Sequence, residues 1–211
     1  MNKAKLENWC QSYLADQQLH QLLEKVDADL AEKVRQSGCQ HCCGKLHRAK
    51  YRRKPRGQPR TDREEREEQQ AVEQPEDVFR DSFCCDQEGC RKRHTPPSVR
   101  FLGRKVYWGF VVVLVSVMRH GLKPERLQAL RETLGVDRRT VERWREWWLG
   151  IFVESSFWRG ARARFMPPLC PQTMPWSLGI RFEIQRRDRL LALLKFLAPI
   201  TTPTAWKEFV M

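Results

Sequence analysis

Two close-spaced cysteine pairs constrain this chain more than any other feature. The first is Cys39-Gln40-His41-Cys42, and the second is Cys85-Asp86-Gln87-Glu88-Gly89-Cys90. Two thiolates at the ends of a tight turn can occupy two corners of a Zn²⁺ tetrahedron, and a second such turn supplies the other two. Met1 to Cys10 lacks the apolar core of an export signal, so the eight cysteines are expected in a reducing compartment, where clustered pairs favour metal over disulfides. A redox C-x-x-C would open a helix after a strand, whereas Cys39–Cys42 follows a predicted helix and precedes a basic strand. Catalytic zinc would need an open fourth position, and neither H-E-x-x-H nor H-x-E with P-C-x-x-C occurs. The expectation is one structural zinc held by Cys39, Cys42, Cys85 and Cys90.

Each pair has a spare neighbour, Cys43 beside Cys42 and Cys84 beside Cys85. Cys85 is preferred because C-x4-C can close a turn, where Cys84 would need a longer loop. His41, His47 and His94 are substitutes, each read first as a polar surface residue. Cys10, on the apolar side of the first helix, and Cys170, in a proline-rich stretch, are read as free thiols. Gly44 and Gly89 are expected to supply the backbone freedom of the two turns.

Charge is distributed unevenly around these pairs. Lys and Arg number 39 against 26 Asp and Glu, a net +13 that favours a polyanionic partner. Gly44–Arg60 carries 8 basic residues and no acidic one, Thr61–Val78 has 8 acidic against 2 basic, and Arg91–Phe165 has 17 basic against 6 acidic. Arg56–Asp77, rich in Pro, Gln and Glu, has too little apolar surface to bury and reads as a flexible insertion.

Periodicity sets out the remaining elements. Leu19, Leu22, Leu23, Val26, Leu30 and Val34 recur at helical steps within a helix over 5–36, stopped at Ser37-Gly38. Short strands are predicted at Lys45–Lys54 and around Val99–Phe101, and helices over 104–119, 124–134, 138–152 and Ile184–Leu197. Met166–Pro175, with four prolines, reads as a linker. Val106–Met118 is strongly apolar but has 13 residues, against about 20 needed to cross a bilayer, so it reads as a buried helix. The predicted fold is mostly α with a small β zinc ribbon: an N-terminal helical segment over 1–38, the ribbon over 39–103 with its insertion at about 56–77, a three-helix domain over 104–165, and the proline linker and C-terminal helix over 166–211.

The run Phe83-Cys84-Cys85 to Cys90-Arg91-Lys92-Arg93-His94-Thr95-Pro96 resembles the second knuckle of the zinc ribbons at the N-termini of bacterial insertion-sequence transposases. Their pattern is roughly an aromatic, a Cys, a short turn, a second Cys, then basic residues and Thr or Ser. The resemblance spans 39–100. This chain differs in the long charged insertion between the pairs, the C-x4-C spacing and the doubled cysteines.

Downstream, Pro124 stands at a first-turn position, and Leu127, Leu130 and Leu134 line one face. Gly135 ends that helix, Val136 reads as a buried turn residue, and Asp137 is placed to cap the next helix. Val141, Trp144 and Trp148 then form an inner stripe that leaves Arg138, Arg139, Glu142, Arg143 and Glu146 outward. Trp147 falls off this stripe and is expected to pack on the C-terminal helix or on a partner. A helix, a Gly turn and a helix opening on two arginines is the geometry that seats a second helix in the major groove. Arg138, Arg139, Thr140, Glu142 and Arg143 are the predicted base-reading or groove residues, since Arg can bond guanine bidentately and Glu can accept from cytosine. Arg119, Lys123 and Arg126 are placed to neutralise phosphates. Arg52 and Arg53, in the basic Lys45–Arg60 block, are expected to track the backbone. The run from Leu134 to Trp144 resembles helix-turn-helix segments of transposases and resolvases.

No catalytic motif accompanies these features. After Phe165 too little chain remains for the three-carboxylate nuclease domain of integrase-type transposases, there is no P-loop, and no nucleophile elbow stands out. The expectation is a non-enzymatic, zinc-containing, sequence-specific DNA-binding protein related to mobile elements, a transposition accessory or regulator in the cytoplasm at the nucleoid. Its expected partners are duplex DNA and a transposase or other protein, with no membrane. A homodimer through 5–36 is the sharper reading of that helix and intramolecular packing the plainer one. A protein-interaction adaptor that binds nucleic acid non-specifically, or a truncated transposase remnant, is the alternative.

Overall fold

The computed structural model describes residues 12–13, 16–49, 51–53, 78–102, 107–117 and 124–202. The flexible insertion expected at 56–77, Cys10, Arg119 and Lys123 lie outside the described residues. The chain is mostly helical, with a small three-stranded antiparallel sheet.

Helix α1 spans Gln17–Ser37 and is capped by Asp16, whose carboxylate accepts the Leu19 N–H at 3.0 Å. Leu19, Leu23, Asp27 and Ala31 bury one face at four-residue steps. Gly38, at φ 73°, ends the helix and donates to the Arg35 carbonyl. Of the helix expected over 5–36, residues 5–11 and 14–15 lie outside the described residues, Ser12 and Tyr13 are helical, and a helix capped at Asp16 runs from Gln17, its stripe containing a carboxylate where only aliphatic residues were read.

Three short strands, β1 (Leu46–Arg48), β4 (Phe83–Cys85) and β5 (Arg93–His94), form the sheet in the order β1-β4-β5. Two further antiparallel pairs are β2 (Tyr51–Arg53) with β3 (Val78–Arg80), and β6 (Phe101–Leu102) with β7 (Tyr107–Trp108). The strand predicted over Lys45–Lys54 is therefore two strands facing different partners. The helix predicted over 104–119 begins instead at Gly109, because Trp108 pairs with Phe101 and stacks on it at 5.6 Å. A short apolar run does not distinguish strand from helix by periodicity alone.

Helix α2 (Gly109–Val117) is buried over its whole length and packs against α4 (Arg138–Glu146), α6 (Trp176–Arg181) and α7 (Arg187–Leu197). Around it, α3 (Pro124–Leu134), α4, a π-helical turn at Trp147–Phe152 and α5 (Ser156–Ala161) follow in chain order. No helix among the described residues is long and apolar enough to cross a membrane. Leu19 and Leu23 of α1, Val113 of α2, Trp148, Trp158 and Leu190 share one apolar core, so α1 and α7 close on the middle of the chain. The proline-rich 166–175 stretch joins that core through Met174, which is 3% exposed. A second, smaller core contains Ala31, Cys39, Leu46, Phe83 and Cys85. Two of its five buried members are cysteines, so little apolar packing is available to hold this end of the molecule.

Candidate metal centre and basic helix

The two cysteine turns are built alike. In the first, the Cys39 N–H donates to the Gly44 carbonyl at 2.9 Å, and the Cys43 N–H donates to the Cys39 carbonyl at 2.8 Å. In the second, the Cys85 N–H donates to the Lys92 carbonyl at 3.0 Å, and the Arg91 N–H to the Gln87 carbonyl at 3.1 Å. Each turn thus closes on the residue two positions beyond its second cysteine. The residue between is left-handed in both, Cys43 at φ 59° and Arg91 at φ 44°. These reversals accompany the gathering of Cys39 and Cys42 of the first turn with Cys85 and Cys90 of the second.

Gly44 serves the site by closeness. A Cβ there would stand 2.4 Å from Gln87 Cγ and 3.1 Å from Cys85 Sγ, so the two turns approach only because residue 44 has no side chain. Gly89, expected to play the same part, has open space around it, and the left-handed backbone falls on Cys43 and Arg91 instead.

The sulfurs of Cys39, Cys42, Cys85 and Cys90 lie within 4.8 Å of one another and are positioned to coordinate one metal ion. Cys42 and Cys85 are 3.3 Å apart, and Cys39 and Cys90 3.6 Å apart. A tetrahedron with metal–sulfur bonds of about 2.3 Å has edges of about 3.8 Å, so these separations suit four thiolates on one small cation. A set of four sulfurs is soft and tetrahedral in preference. Cys43 is exposed and Cys84 projects from the opposite side of β4, where it shares a row with His47 and Arg93; neither joins the set.

The environment polarises the thiols in opposite senses. Burial pushes the Cys39 thiol up, but the N–H groups of His41 and Cys42 and the His94 ring outweigh it and bring it down to about 5. At Cys42 the Gly44 N–H pulls downward, and the neighbouring Cys85, burial, Cys90 and Cys39 drive the thiol up to about 12. Burial likewise raises Cys85. Thiolate is thus favoured at Cys39 and the protonated thiol at Cys42 and Cys85, and a cation would have to displace the protons of the last two. Of the three substitute histidines, His41 and His47 are exposed, while His94 is buried with its Nε2 3.2 Å from Cys39 Sγ. The surface placement expected of His94 is not found, because β5 turns it inward opposite Phe83.

In the α3–α4 segment, Gly135 is left-handed at φ 63° and donates to the Arg131 carbonyl, which ends α3. Val136 is buried, and Asp137 caps α4 by accepting the Thr140 N–H at 2.6 Å. Val141, Trp144 and Trp148 are buried, while Arg138, Arg139, Glu142, Arg143 and Glu146 face solvent. Arg138 pairs with Glu142 at 2.8 Å. Thr140 is turned inward and 7% exposed, and its hydroxyl accepts from Arg143 at 2.8 Å, so it braces an outward arginine. Trp147 is half-buried, edge-on to Trp148 at 4.7 Å. A groove of about 740 Å³ between the two helices is lined by Gln128, Arg131, Glu132, Asp137, Arg138 and Arg139. Arg126 belongs to α3, and Arg52 and Arg53 belong to β2.

A buried polar network that composition did not signal ties α1 to the 98–100 segment, and β3 to Thr201. Asp27 of α1 accepts from Ser98 Oγ at 2.6 Å, from the Val99 N–H at 2.7 Å and from Arg100 Nε at 3.0 Å. Arg100 also binds Glu24 at 2.7 Å, and Arg80 donates to the Thr201 carbonyl at 2.8 Å. No protein-family model, curated protein or solved structure matches this chain.

Proposed function

We propose that the chain is a zinc-containing DNA-binding protein, in which the cysteine-clamped sheet is a zinc ribbon and α3–α4 is a helix-turn-helix whose second helix reads the major groove. The observation that carries this reading is α4 itself. One side is pinned in the core by Val141, Trp144 and Trp148, and the other presents Arg138, Arg139, Glu142 and Arg143 to solvent behind a capped N-terminus. Early residues of such a helix reach base edges, and a guanidinium meets guanine O6 and N7 bidentately. Arg119, Lys123, Arg126, Arg52 and Arg53 are proposed as phosphate contacts, which position the protein without reading sequence. A net charge of +13 raises the encounter rate with a polyanion.

The metal is proposed to be zinc in a structural role, since four thiolates leave no open position for substrate. In this reading the chain acts without nuclease chemistry, as an accessory or regulator tied to a mobile element and to a transposase. The test is selection from a random duplex library, with elemental analysis of the same preparation. Arg138→Ala and Arg143→Ala are each expected to weaken the selected site by about 1–3 kcal/mol and to broaden base preference at one position. Selection that recovers no motif, or variants that keep the wild-type motif and affinity, overturns the DNA-reading assignment.

A further inference from the structure

The strongest unassigned contact lies behind the cysteine cluster. His94 Nε2 is 3.2 Å from Cys39 Sγ, with His94 8% exposed and Cys39 1% exposed. Two backbone features hold the ring there. His94 pairs across β5–β4 with Phe83, itself fully buried, and its carbonyl accepts from the buried Ser82 hydroxyl at 3.5 Å. The ring therefore meets Cys39 at a buried contact, whereas Cys42 is exposed.

Imidazole at this distance can either donate Nε2–H to the sulfur or compete with it for the cation. The four sulfurs form a mutually close set to which the His94 nitrogen does not belong, so the ring sits behind Cys39 and not at a fifth corner. The geometry points to His94 as the positioning residue of the metal centre, its Nε2–H donating to the metal-bound Cys39 thiolate. A thiolate held this way has one lone pair engaged and one directed at the cation. It is also less electron-rich, which lowers its reactivity toward protons and electrophiles. The His41 N–H donates to the same sulfur from the loop at 3.5 Å. Such outer hydrogen bonds commonly govern metal affinity by 10–100-fold. This inference rests on the metal reading of the four cysteines.

The test uses the full chain loaded with Co²⁺, whose thiolate charge-transfer and d–d bands report the donor set, alongside competition against a chromogenic chelator. His94→Phe keeps the ring volume and removes the donor, and His94→Gln returns an amide N–H. The expected result is a four-thiolate spectrum in all three proteins. In His94→Phe the charge-transfer band moves to lower energy and metal retention falls 10–100-fold, and His94→Gln recovers a substantial part of both. His94→Phe with wild-type band position and retention overturns the inference while leaving the metal centre intact. A wild-type spectrum of three sulfurs and one nitrogen, lost in His94→Phe, also overturns it, because His94 is then a ligand. A wild-type chain that takes up no cobalt overturns the metal reading, and this inference with it. If His94→Phe does not fold, His94→Leu, which also removes the donor, is read by the same band and retention, and wild-type values there overturn the inference.

Discussion

At the scale of single residues, backbone conformation sets Cys43 apart from the four cysteines that cluster. Cys43 occupies a left-handed turn at φ 59° that costs a β-carbon about 1 kcal/mol, and its thiol faces solvent. Cys43→Gly is therefore expected to keep one metal per chain and to raise stability by about 1 kcal/mol, read as a higher thermal midpoint of the metal-loaded protein. Cys39→Ser should instead lose the metal, and elemental analysis distinguishes the two. Metal affinity should also fall with acidification. Cys42 and Cys85, whose thiols are pushed up, must release protons on binding, so lower pH competes directly with the cation. Titration of a metal-binding competitor between pH 8 and 6 reads this, and a flat profile contradicts four-thiolate coordination. That Cys39, Cys42, Cys85 and Cys90 would cluster was legible from C-x2-C and C-x4-C, with Cys43, Cys84 and the histidines left as substitutes. The need for Gly44 was not, because the atoms it avoids belong to Gln87 and Cys85, on the other turn.

At the scale of elements, punctuation was more legible than continuity. Gly135, Val136 and Asp137 each do locally what their residue types predict, since capping and helix termination depend on neighbours within a few positions. Asp137→Ala should cost about 1 kcal/mol of stability. The Thr140 N–H and then its side chain hold the Asp137 carboxyl below the usual carboxylate range. Its folded value is thus below its unfolded one. The contribution is full above the ordinary carboxylate pKa and fades as pH falls through the lowered value. Denaturation curves of wild type and Asp137→Ala should accordingly converge only in acid. The helix read as continuous over 138–152 widens into a π-turn at Trp147–Phe152. Trp144, Trp148 and Phe152 recur every four residues, and a four-residue step drifts around a helix of about 3.6 residues per turn. The wider turn corrects the drift and buries both Trp148 and Phe152 fully. No sequence signal announces it, because a spacing of four is common to both helix types.

At the scale of the whole molecule, the three segments that leave the metal centre converge on one buried joint. Helix α1 runs back from Cys39 to Asp27, β4 leads back through Ser82 to Arg80, and the chain after His94 runs through Ser98 to Arg100. Asp27 and Arg100 are about equally buried, with side chains 8% and 7% exposed. Removing Asp27 leaves buried Arg100 with only the exposed Glu24 as counter-charge and takes the acceptor from the Ser98 hydroxyl and Val99 N–H, so Asp27→Ala is expected to cost about 3–5 kcal/mol in urea denaturation. Adding Arg100→Met to that chain should recover part of the loss. A double variant no more stable than the single one would show that the charge pair is not what Asp27 satisfies.

Local chemistry, meaning cysteine spacing, glycine stops, caps and the apolar face of each helix, was determined by the amino-acid order alone, because each acts over a turn or less of chain. Position relative to distant residues was decided by tertiary structure. A helix stripe does not show that its Asp27 will meet Arg100, nor a basic run that His94 will turn inward onto Cys39. Those pairings depend on which surfaces close on each other when α1 and α7 share a core with α2, and a contact across the core leaves no trace in the spacing of either partner.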